Sequence, residues 1–93
     1  MPYIIRERRE VLQPIVDQLA PRGPGELNYI ITRIIHNYII NATEVAHYAD
    51  LAEGVAALEC AKLELYRIVV ARYEDLARQK NGPVSTLEDR WPQ

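Results

Sequence analysis

Six residues in the C-terminal half of this chain have the types and spacing to hold a phosphate: Glu59, Lys62, Tyr66, Arg67, Arg72 and Tyr73. A lysine or arginine beside tyrosine rings can grip a phosphate while the rings stack on a base or sugar. Glu59 lies three residues before Lys62, and Tyr66 four residues after it, so all three share one surface of a helix. Tyr66 and Tyr73 are seven apart and stack along the same side of an uninterrupted helix, whereas Arg67 turns to its polar side. In this reading Lys62, Arg67 and Arg72 meet the phosphate, the tyrosines stack, and Glu59 orients Lys62. A second reading stays open. Glu59 can pair with Lys62 or Arg72 between helices or subunits, with the tyrosines filling core and interface.

The element that must position these groups is a long helix from about Tyr48 to Lys80. At 100° per residue, Leu51, Val55, Leu58, Leu65, Val69, Tyr73 and Leu76 fall on one face. Lys62 falls in the middle of that face, with Glu59 and Arg72 on its flanks. Charges on an apolar stripe require partners: each other, a second subunit or a ligand. Asn81-Gly82-Pro83 stops the helix. A second helix, from about Glu26 to Asn41, presents Leu27, Ile30, Ile31, Ile34, Ile35 and Tyr38 as a broad face expected to be buried. Its polar side carries a weaker set of Tyr29, Arg33, His36 and Asn37, which also reads as a solvated surface. The spacing of those polar residues favours helix over strand despite the many isoleucines.

Pro14 divides the N-terminal region, because proline suits the first turn of a helix and disrupts its interior. The pattern therefore predicts a turn around Arg6–Glu10 and a short helix from Pro14 to Ala20. Arg6, Arg8 and Arg9, balanced by Glu7 and Glu10, read as an exposed turn with weak potential as a phosphate contact. Pro21–Gly25 is a loop and Ala42–His47 a connector. The expected fold is all-α: a helical hairpin with a short N-terminal helix and one long C-terminal helix, assembled as an oligomeric bundle. One domain spans 1–83, and the tail 84–93, containing Leu87 and Trp91, either straps across a neighbour or is disordered. A helix of about 33 residues is roughly 50 Å long, and helix two covers about half of it. The remaining stripe calls for a second copy of the chain.

Composition narrows the classes. The chain has 93 residues and a formal net charge of -2, with a pI near 5.6, which argues against general nucleic-acid binding. A domain this small buries only roughly two-thirds of its unfolded surface, so a lone monomer is marginal. The single cysteine, Cys60, excludes an intramolecular disulfide and a multi-cysteine metal site. The N-terminal segment is too short for a signal sequence and no run approaches the ~20 residues of a membrane span, so a cytoplasmic location is expected. Neither His36 nor His47 has a local serine, cysteine or aspartate partner. A magnesium-dependent nucleotide hydrolase would need convergent carboxylates, and Glu26, Glu53 and Glu59 are the available set. No two predicted helices face each other with paired carboxylates.

Gly25–Thr32 and Leu58–Arg67 carry the segments GELNYIIT and LECAKLELYR. With the opening Met-Pro-Tyr-Ile, Tyr73-Glu74-Asp75 and Asn81-Gly82, they resemble a small uncharacterised family of short phage and prokaryotic proteins. The resemblance spans most of the chain and brings no established activity. Ile68 stands where the family pattern has a second arginine, and Pro83 where it has an acidic residue. The phage association implies an analogy with small oligomeric helical proteins that sequester cyclic nucleotide signals of host defence. The resulting expectation is a non-enzymatic homo-oligomer that binds a nucleotide-type small molecule and needs no cofactor. The rival expectations are an interaction module without a ligand, and the magnesium-dependent hydrolase.

Overall fold

The computed structural model describes residues 2–90. Among these every regular element is helical: α1 (Arg6–Asp17), α2 (Pro24–Ala42), α3 (Tyr48–Leu65) and α4 (Ala71–Asn81), with a π turn (Tyr66–Val70) between α3 and α4 and a 3₁₀ turn (Leu87–Arg90) near the end. The chain divides into two compact units, Met1–Ala61 and Lys62–Gln93.

In the first unit α1 is one continuous helix with Pro14 inside it, which corrects the expected break. Proline removes the N–H that would meet the Glu10 carbonyl. Because α1 is exposed along its length, water can satisfy that carbonyl and the helix persists. Ahead of α1, the Arg9 guanidinium lies 5.7 Å from the centre of the Tyr3 ring and its Nε donates to the Ile4 carbonyl at 2.9 Å. The arginine thus holds the N-terminal arm against its own helix. It is not a vacant phosphate contact.

α2 begins with Pro24 in its first turn. Glu26 there accepts the Arg22 backbone N–H at 3.0 Å, a reach-back that serves a helix start as a capping-box glutamate does. α3 repeats the device: Asp50 accepts the His47 backbone N–H at 2.9 Å. His47 thereby opens α3, and its backbone supplies the donor. Between these helices Gly54 of α3 faces α2 directly. A Cβ added to Gly54 would lie 2.9 Å from Ile35 Cγ2 and 3.4 Å from Ile39 Cδ1. Glycine costs about 1 kcal/mol relative to alanine within a helix. Here its missing side chain is what lets the two helices meet. Beside that contact the Tyr38 hydroxyl donates to a Glu53 carboxylate oxygen at 3.1 Å.

The broad buried face expected on α2 is not there. Ile30, Ile35 and Ile39 are half-buried, while Leu27, Ile31, Ile34 and Tyr38 remain 39–54% exposed. Periodicity identified the apolar side of α2 correctly, but the contact through Gly54 covers only a narrow row of it. Gly54 is the one buried position among the described residues, and none of their hydrophobic side chains is buried.

In the second unit the long helix does not keep one phase. The Ala71 N–H donates to the Tyr66 carbonyl five residues back, so the turn holds an extra residue relative to an α-helix. Such an insertion rotates the succeeding residues by about 100°, one residue's worth. Within the second unit the uniform stripe expected through Leu65, Val69, Tyr73 and Leu76 is therefore corrected. α4 ends at Gly82, whose φ is +89°. That conformation favours glycine, and it bears out the stop signal at Asn81-Gly82.

Candidate functional site

Lys62, Tyr66, Arg67, Arg72 and Tyr73 belong to the second unit and Glu59 to the first. Lys62 is exposed in the last turn of α3. Tyr66 opens the π turn and is 52% exposed. Arg67 points its guanidinium at Glu64, 3.3 Å from each carboxylate oxygen, and Glu64 is the more covered partner. The sequence pattern had turned Arg67 to the polar side, and Glu64 is what it finds there. The spacing of three residues between Glu64 and Arg67 is the sequence signal for this pair.

Arg72 and Tyr73 begin α4, and Tyr73 lines a surface hollow with Leu76, Ala77, Lys80 and Asn81. Because the π turn starts at Tyr66 and ends before Tyr73, seven residues no longer amount to two turns. Tyr73 is displaced around the helix from Tyr66, and the expected stacking ladder is corrected. Glu59 lines a different groove, on α3, with Tyr48, Leu51, Ala52, Val55 and Ala56. All six candidate residues are exposed, and of them only Glu59 and Tyr73 line these two hollows. The π turn stands at the centre of the set from the second unit.

The second unit also holds an ion pair that the sequence did not reveal. Arg78 on α4 grips Glu88 of the 3₁₀ turn, Nε donating to Oε1 at 2.8 Å and Nη2 to the other oxygen. The tail up to Arg90 is thereby tied back onto its own helix, while Trp91 lies outside the described residues. The arginine holds the Glu88 carboxyl below the usual range, chiefly through the side-chain hydrogen bond. Arg78 is correspondingly raised. A lowered carboxylate contributes stability that is present above its ordinary value and lost as pH falls through its folded value. Followed by NMR, Glu88 should titrate at lower pH in the native protein than in Arg78→Ala. Equal midpoints would show that the clasp does not form in solution. In the first unit, the Glu53 hydrogen bond and charge raise the Tyr38 hydroxyl above its usual value.

Among the described residues no three histidine, cysteine or carboxylate side chains gather as a metal-binding group. Glu26 and Glu53, from the carboxylate set weighed for magnesium, act instead at the start of α2 and on Tyr38. Cys60 is an exposed free thiol. No helix among the described residues is long and apolar enough to cross a membrane.

These features define an all-helical protein whose apolar side chains stand largely uncovered. The chain belongs to the DUF6899 family, a domain of unknown function, whose model matches residues 1–84. No curated protein and no solved structure matches it significantly.

Proposed function

We propose that the protein is a non-enzymatic, self-assembling helical module in which copies of the chain supply the core that a single chain lacks. The observation that carries this reading is the exposure of its large apolar residues. Ile34, Val55, Val69 and Leu76 are each more than half exposed. Burying a side chain of this kind contributes about 1.5–3 kcal/mol, and a small domain that leaves them in water has little else to offset its chain entropy. Assembly couples folding to concentration. The thermal midpoint of the purified protein should therefore rise with each tenfold increase in concentration. A midpoint independent of concentration would contradict self-assembly.

One observation favours a ligand within such an assembly. Single π turns inside α-helices occur frequently at functional sites, and this one is flanked by Lys62 and by Arg72 and Tyr73, with Tyr66 and Arg67 inside it. The ligand would be a small phosphate-bearing molecule of the nucleotide class. Lys62 and Arg72 would serve the phosphate, and Arg67 would join them by exchanging its Glu64 pair for it. Tyr66 and Tyr73 would meet the base or sugar from separate directions. Sequestration of a nucleotide signal requires nothing more than this binding.

A further inference from the structure

We propose that Asn81-Gly82 is a self-modification site: Asn81 deamidates to aspartate and isoaspartate, at a rate that the clasp between Arg78 and Glu88 restrains. The chemistry needs a backbone nitrogen that can reach the carbon of the preceding side-chain amide. A side chain on the following residue hinders that approach, and glycine has none. The asparagines of this chain precede Tyr29, Tyr38, Ala42 and Gly82. Asn81 alone stands before a glycine.

The geometry of the second unit points to the same residue. Asn81 is exposed at the end of α4 and lines the hollow that also holds Tyr73 and Lys80. No hydrogen bond among the described residues holds its side chain. The space beside Gly82 is open, since a Cβ built there would meet nothing within 4 Å. One contact restrains the reaction. The Gly82 N–H donates to the Arg78 carbonyl at 2.7 Å and caps α4, so its nitrogen is engaged while the last turn is closed. Helix ends open far more readily than whole domains unfold. The clasp opposes that opening, because Arg78 grips Glu88 beyond the turn and ties the tail to α4.

In the opened turn the Gly82 nitrogen attacks Asn81 Cγ and forms a C–N bond. The bond from Cγ to the side-chain amide nitrogen breaks, and ammonia departs with the proton that the Gly82 nitrogen gives up through solvent. Water then opens the cyclic imide at either carbonyl, giving aspartate or isoaspartate with no oxidation or reduction. Ring closure consumes the N–H that caps α4. Isoaspartate lengthens the main chain by a methylene at this joint. Either product sets a negative charge at the helix C-terminus, where the dipole disfavours it.

The test ages the full chain in mildly alkaline buffer and maps it by peptide mass spectrometry. Acid should accumulate at position 81 well before positions 28, 37 and 41, largely with an isoaspartyl linkage, and Asn81→Gln should stop it there. Glu88→Ala removes the clasp from outside α4 and should speed conversion at position 81 several-fold, leaving the other three asparagines unchanged. Conversion at 81 no faster than at those three overturns the site. An equal rate in Glu88→Ala, or one raised alike at all four positions, overturns the clasp as its restraint.

Discussion

Gly54→Leu is expected to lower the thermal midpoint by roughly 5–15 °C at fixed protein concentration. The Cβ alone would stand 2.9 Å from Ile35 Cγ2, and the rest of a leucine side chain has to enter the space α2 occupies. Overpacking costs about 1–3 kcal/mol, and each kcal/mol moves the midpoint of a domain this size by about 4–8 °C. Leucine gains most of the roughly 1 kcal/mol of helix propensity that glycine forgoes, and a side chain this large sits at the upper end of the steric range, so a net cost of about 1–2 kcal/mol survives. Gly54→Ala is the finer probe. Alanine gains the same propensity, but its methyl meets a methyl on the stiff branched carbon of Ile35. The substitution should be mildly destabilising in the native chain and stabilising in an Ile35→Ala background. Circular dichroism melts of the four proteins form a double-mutant cycle, with a coupling of about 0.5–3 kcal/mol expected for a direct contact. Additive effects would show that the helices do not meet at Gly54.

The second large effect concerns the ligand. A nucleotide present at 100 times its dissociation constant should stabilise the protein by about 2.7 kcal/mol. For a small domain that is a midpoint shift on the order of 10 °C. A thermal-shift screen against linear and cyclic nucleotides, with and without magnesium, should show such a shift for one class independent of the metal. Lys62→Ala should retain helix content and oligomer mass while losing the shift. If Lys62→Ala instead dissociates or unfolds the protein when no nucleotide is present, Lys62 is a pairing residue of the assembly. A flat screen of the native protein would remove the nucleotide reading and leave the interaction module.

How much of this was legible depended on how local each feature is. The helical class, the α2 helix and the stop at Asn81-Gly82 rest on spacing and turn chemistry within a few residues, and they hold. Pro14 was overread, since a proline in an exposed helix leaves a carbonyl that water can reach. The uncovered face of α2 was beyond periodicity, which tells which side is apolar and not what covers it. Gly54 did carry a signal: a glycine at the centre of a strong helix pattern invites a close packing contact. Ile68-Val69-Val70 was a fainter one, three branched residues crowding a helix where the π turn forms. The candidate site was legible as residue types and not as an arrangement. Its spacing assumed an unbroken α-helix through Tyr66 and Tyr73. The Arg78–Glu88 clasp joins residues ten apart across a turn, and no helical spacing points to it.

Sedimentation equilibrium of the native protein, run over a wide concentration range, tests the central claim most directly. Self-assembly requires a mass at an integral multiple of 10.7 kDa, falling on dilution together with helix content. A mass of one chain at every concentration, with full helix content, would contradict it.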